Sequence, residues 1–163
     1  MNIFFLDKDP IKAAQYLCNR HVLKMGIEGL QMLSAAHHLC SSRIDLSKIY
    51  PLSWQYHPCS KWVRKCYDNY KWLWEHCDAI FREYTYRYEK THLCVKSGKL
   101  SKLACFPILP DVPFTFPYLG MPFDCHSSDY VESYRNYYQR YKVGKIQMKY
   151  TKRPIPFWLK LEN

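Results

Sequence analysis

The chain has 163 residues, with 24 Lys and Arg against 14 Asp and Glu, a formal charge of +10, 48% hydrophobic residues and 17% aromatic ones. That composition excludes an unfolded chain, and at this length roughly 70% of the unfolded surface can be buried, so a core needs no metal or disulfide staple. No run approaches the roughly 18 uncharged apolar residues of a membrane span, and Asp7, Lys8 and Asp9 stand where a signal peptide would carry its apolar stretch. One soluble, intracellular domain over residues 1–163 is therefore expected, without membrane association. Positive charge combined with 15 Tyr, 5 Trp and 8 Phe makes nucleic acid the first partner to consider, since cations meet phosphates and rings offer faces to bases.

In chain order, Asp9 is a helix N-cap with Pro10 at the first helical position, where its missing N–H costs nothing. The helical pattern runs on to His38, with a break expected near Asn19. The polar, Pro-interrupted run from Cys40 to Tyr56 reads as a loop. From His57-Pro58 a second helical stretch extends to about His92, long enough to require a break or bend, with Trp62, Cys66, Leu73, Cys77, Ile80 and Tyr84 on one apolar face. From Cys94 to His126, Pro107, Pro110, Pro113, Pro117 and Pro122 exclude a continuous helix or a central strand and predict an extended wrapping segment. Asp129, followed by Glu132 as in a capping box, opens a third helix to about Tyr150, and the tail is basic, aromatic and Pro-broken. The fold class is all-α, three main helices wrapped by a Pro-rich segment.

Eight cysteines in an intracellular chain without CxxC pairs read as reduced, mostly buried thiols. Cys18, His21, His37, His38 and Cys40 lie close in sequence, but their spacing matches no paired-ligand zinc pattern. Neither a metal nor a cofactor is expected.

One helix face carries the chemistry. At about 100° per residue from Leu17, His21 falls near 40°, Lys24 near 340°, Glu28 near 20° and Gln31 near 320°. Nearly everything else around that axis is apolar or small, from Val22 and Leu23 to Met32 and Leu33. Such a helix is enclosed by protein and turns one polar line to a cleft or a buried network. Lys24 and Glu28, at i and i+4, can pair. Two readings stand side by side: a structural ion pair with a satisfied core histidine, or an acid/base carboxylate with basic neighbours at a groove.

The run Leu17-Cys18-Asn19-Arg20-His21-Val22-Leu23-Lys24-Met25-Gly26-Ile27-Glu28 resembles the central motif of the pyrimidine-dimer DNA glycosylases, the phage endonuclease V-like superfamily with its bacterial and viral relatives. In that family a His precedes the catalytic Glu by seven residues, as His21 precedes Glu28. His57-Pro58 with Lys61-Trp62 and the aromatic helix ending in EYTYRYEKTH is similar to a second block of those relatives. The resemblance implies a flipped nucleotide, attack on its C1′ by an N-terminal α-amine, and a Schiff base that can proceed to strand cleavage. It makes Glu28 the acid/base, His21 a positioning group, and the Met1 amine the nucleophile. Well-studied members expose a small residue after Met removal, whereas here Asn2 follows Met1. Lys24, if enclosed, is an alternative amine.

From Ser133 onward there are eight Lys and Arg against one Glu, with Tyr134, Tyr137, Tyr138, Tyr141 and Tyr150 between them. Phosphate contacts with stacking rings would explain this interleaving, and a packed tyrosine face beside solvated cations would too. The basic stretches and the resemblance together nominate Arg20, His57, Lys61, Arg64, Arg87, Arg135, Lys149, Lys152 and Arg153 as contacts to double-stranded DNA. Two other functions fit the same residues: a non-catalytic nucleic-acid-binding protein, architectural or viral accessory, and an enzyme acting on a nucleotide or modified base outside the duplex.

Overall fold

Asp9 caps the first helix as expected. In the computed structural model, which describes residues 2–161, its carboxylate accepts the Ile11 amide at 2.8 Å and Pro10 begins α1 (Pro10–Gln15). The chain pauses at Tyr16–Cys18 and restarts as α2 (Asn19–Leu39), so the expected break falls just before Asn19. The second stretch divides into α3 (Pro58–Val63), capped by the His57 ring, and α4 (Tyr67–Tyr88), because Cys66 is fully extended between them.

The Pro-rich region holds more structure than its prolines suggested. It opens with two single turns, α5 (Leu93–Lys96) and α6 (Lys99–Lys102), before running as an irregular strap from Cys105 to Met121. Helix α7 (Tyr130–Tyr141) begins at Asp129, whose carboxylate accepts the Val131 amide at 2.6 Å. Glu132 does not close a capping box; it accepts a hydrogen bond from the Ser127 hydroxyl. The helix also ends nine residues before the expected Tyr150. Gly144 adopts a left-handed conformation (φ 79°), and residues 145–153 return along α2, where the Asn19 amide donates to the Lys149 carbonyl.

The long helices α2, α4 and α7 bury an aromatic core in which Phe5 lies against Trp62, Trp72 and Tyr134. Tyr134 and Tyr138 are fully buried, so the tyrosines of α7 divide between core and surface rather than forming one stacking row. Helix α2 crosses α4 at Gly26 and Gly29: a Cβ on Gly26 would lie 2.7 Å from the Phe81 ring, and one on Gly29 would overlap Cys77 Sγ. All eight cysteines are free, and six are buried. No helix among the described residues is long and apolar enough to cross a membrane.

Three histidines are enclosed. His37 bridges Ser42 and Tyr70, and His76 Nδ1–H donates to the Pro10 carbonyl at 2.9 Å. Burial pushes His37 and His76 down to about 4, and His21 to about 3. An unfolded chain protonates these rings near pH 6.5, so below that pH it binds up to three more protons than the native state. Stability is fully present above pH 6.5 and falls as pH drops toward 4, by up to about 1.4 kcal/mol per pH unit for each histidine. Urea unfolding midpoints are expected to hold steady from pH 8 to 7 and to fall steeply by pH 5. Equal midpoints at pH 7 and 5 would rule this out.

Candidate active site

The amino-terminal segment reaches α2 through an unusual backbone. Phe4 sits in the left-handed region (φ 55°), a conformation uncommon for a bulky residue, and the kink sends Phe5 into the core. The Phe4 ring instead stacks on His21, with centroids 4.6 Å apart. One residue earlier, the Asn2 amide donates to Glu28 Oε2 at 3.2 Å, while Lys24 Nζ lies 3.0 Å from Glu28 Oε1. The pairing expected at i and i+4 is therefore made, and Glu28 also grips the start of the chain. Met1 lies outside the described residues.

Above this carboxylate opens a cleft of about 310 Å³. Helix α2 supplies Arg20, His21, Lys24 and Glu28 to its wall, the amino-terminal segment Asn2 and Phe4, and the far end of the chain Gly120, Tyr137 and Lys142. The Glu28 side chain is 12% exposed and that of Lys24 65%, so the alternative amine is not enclosed. Lys142 Nζ lies 4.8 Å from the centre of the Tyr137 ring.

His21 is the buried floor of this site. Its Nδ1 is 2.7 Å from Tyr138 Oη, which also accepts the Cys18 amide at 3.0 Å. Desolvation, followed by the charges of Lys142, Lys24 and Arg20, holds its pKa at about 3. It is a neutral imidazole at any physiological pH, fit to orient a substrate hydroxyl or base edge, not to clamp a phosphate as a cation. His57 caps α3 nearby: burial lowers its pKa, and the Glu28 carboxylate acts in the opposite sense.

Several expected DNA contacts have other work. Arg87 is buried, its side chain wholly enclosed; it pairs with Glu83 and donates to the Leu17 and Gln15 carbonyls at the end of α1. A guanidinium that satisfies buried carbonyls cannot reach a phosphate. Arg153 completes the same cluster from the tail, donating to both Glu83 oxygens. Arg135 donates to the Leu6 carbonyl, pairs with Asp7 and stacks over Trp158. Arg64 donates to the Gln55 carbonyl. Lys152 is exposed and paired with Glu89. Arg20, Lys61 and Lys149 remain exposed cations, and of these only Arg20 lines the cleft.

Lys142 and Tyr137 belong to the site although nothing in the sequence singled them out. They stood in a long basic, tyrosine-rich stretch, and their position follows from the packing of α7 against the amino-terminal segment, where the Phe4 ring meets Tyr137 and Lys142 Nζ lies over it, a contact that no local pattern reports. A second hollow, about 370 Å³ between α1 and α4, is lined by Asp9, Glu75, Asp78 and Glu83 together with Arg82. Asp78 pairs with Arg82 and Glu83 with Arg87 and Arg153, so most of its charge is already matched within the protein.

Residues 1–96 match the model of a family described as pyrimidine dimer DNA glycosylase. No curated protein and no solved structure matches the chain. The matched segment contains α1 to α5 and the α2 side of the cleft, while Gly120, Tyr137 and Lys142 lie beyond it.

Proposed function

The chain belongs to the pyrimidine dimer DNA glycosylase family, and we propose that it removes a damaged or modified base from double-stranded DNA through a Schiff base, with strand cleavage as a second step. The nucleophile is an amine that attacks C1′ of the flipped nucleotide. The N-glycosidic bond breaks, the base leaves with the bonding pair and takes up a proton, and the opened sugar is held as an iminium. Loss of a 2′ proton then expels the 3′ phosphate.

Glu28 is the group that moves these protons. The observation that carries the reading is its position, receiving the Asn2 amide at the head of the chain inside a cleft whose other charges are cationic. The α-amine of Met1 is three covalent bonds from that amide nitrogen. Peptide α-amines are also less basic than lysine amines by about 2.5 units, so a larger share is neutral and nucleophilic near pH 7. Arg20 and Lys142 hold phosphates beside the reacting sugar, and neutral His21 orients it. A protein of this kind works where cellular or viral DNA is exposed to damage.

Borohydride should trap a covalent adduct on ultraviolet-irradiated or abasic duplex DNA, mapping to the peptide that begins at Met1. An adduct on Lys24 would transfer the nucleophile to that side chain. No adduct with either substrate would overturn the Schiff-base chemistry.

A further inference from the structure

The strap from Pro113 to Leu119 exposes two aromatic rings while its backbone is pinned. Trp62 Nε1–H donates to the Thr115 carbonyl at 2.9 Å, Asn69 exchanges hydrogen bonds with Thr115 at 2.7 and 3.0 Å, and Tyr134 Oη donates to the Tyr118 carbonyl at 2.7 Å. Pro113 and Pro117 fix φ at two more points. On this rigid support Phe116 is 56% and Tyr118 52% exposed, whereas Trp62 beneath is 5% exposed. Apolar rings held at the surface by so many bonds are placed there against the trend of burial.

The charges around the strap suit an anion. A shallow hollow of about 430 Å³ is lined by Phe116, Tyr118, Lys61 and Lys65, with no carboxylate among the described lining residues. Lys61 and Lys65 are both exposed, at i and i+4, and neither pairs with an acid among the described residues. The hollow also adjoins the catalytic cleft. Gly120 is part of that cleft's wall, and a Cβ there would lie 3.3 Å from the edge of the Tyr118 ring, so the ring borders that wall.

We propose that Phe116 and Tyr118, flanked by Lys61 and Lys65, form a stacking shelf for an unpaired nucleotide of the DNA strand next to the one in the cleft. The proposal rests on the DNA-repair reading above and extends it to residues outside the segment that matches the family. The rings take the face of a base, which every base offers, and the two ammonium groups take the phosphates on either side. Such a shelf would keep the strand open beside a flipped nucleotide and would be indifferent to sequence.

The test uses the full chain and a duplex carrying a non-cleavable abasic analogue, with 5-iodouracil as its neighbour. Irradiation is expected to cross-link the iodouracil to the peptide containing residues 116–118. Tyr118→Leu and Phe116→Leu are each expected to weaken binding roughly tenfold without changing its salt dependence. Lys61→Gln with Lys65→Gln should lower the slope of log affinity against log salt by about two. All four side chains are exposed, so thermal midpoints should be unchanged, and Tyr118→Leu alone suffices if Phe116→Leu disturbs its contact with Tyr130. Wild-type-like affinity of both aromatic variants, cross-links elsewhere only, or capture of a protein in place of DNA would overturn the shelf. Failure of the wild-type protein to bind any such duplex would overturn the DNA reading itself.

Discussion

Glu28→Gln is expected to slow base removal by about 10²- to 10⁴-fold, the usual contribution of a positioned acid/base, while affinity for the lesion duplex changes little. The amide keeps the shape of the carboxylate, and its oxygen can still accept the Asn2 N–H that Glu28 now holds at 3.2 Å. Its lost partner, Lys24, is 65% exposed, and an ion pair so open to water contributes at most about 1 kcal/mol. What the variant lacks is the carboxylate that the proposed mechanism needs to take and return a proton during collapse of the sugar. Single-turnover rates under saturating enzyme, measured beside equilibrium binding, separate the two effects. Equal losses in binding and rate would make Glu28 a structural carboxylate, and wild-type rates in the variant would leave the protein a DNA binder whose chemistry lies elsewhere.

A larger effect on stability is expected from Glu83→Leu. Glu83 is 5% exposed and accepts from Arg87 on its own helix and Arg153 in the tail. Removing the carboxylate leaves the Arg87 guanidinium enclosed with backbone carbonyls but no counter-charge, a situation that costs about 3–5 kcal/mol. It also releases the tail, whose return alongside α2 is fixed by Arg153 and by the bonds of Asn19 to Thr151. Urea unfolding should show the loss as a lower midpoint. Glu83→Leu combined with Arg87→Met should recover part of it, because an apolar pair of similar volume tolerates burial better than a lone charge. A double variant no more stable than the single one would show that Arg87 contributes through its carbonyl contacts instead.

These two residues mark what could and could not be read from the sequence. Glu28 announced itself because periodicity is local: four polar groups fell on one line of an otherwise apolar helix, and the spacing to Lys24 alone dictated their pairing. The caps of α1 and α7 at Asp9 and Asp129 were legible for the same reason. Arg87 looked like a surface cation at the end of an aromatic helix, since its burial depends on the Gln15 and Leu17 carbonyls, 72 and 70 residues away, and on the Arg153 side chain of the tail, which shares its carboxylate partner. The excess length expected of α7 has a similar origin, because Gly144 can sit within a helical pattern until the chain is required to turn. Lys142 enters the cleft as the C-cap of α7, with its ammonium over the rings of Phe4 and Tyr137, a meeting of the two ends of the chain that periodicity does not report. The exposed rings of Phe116 and Tyr118 were hidden among prolines that signalled irregular structure without saying which side chains would face outward.

The two glycines at the crossing of α2 and α4 bear on the cleft from behind. Gly26 points about 160° around the helix from Glu28, so the surface that registers α2 against the Phe81 ring is the reverse side of the polar line. The close approach of α2 to α4 behind Glu28 thus depends on the absence of two methyl groups, one nearly opposite the carboxylate at Gly26 and one about 100° around the helix at Gly29. The opposite walls of the cleft, Gly120, Tyr137 and Lys142 among them, come from segments outside that crossing. The same arrangement leaves the back of α2 almost no freedom to vary, so both sides of this helix are constrained for different reasons: one by contact with Phe81 and Cys77, the other by the polar line that opens to the cleft.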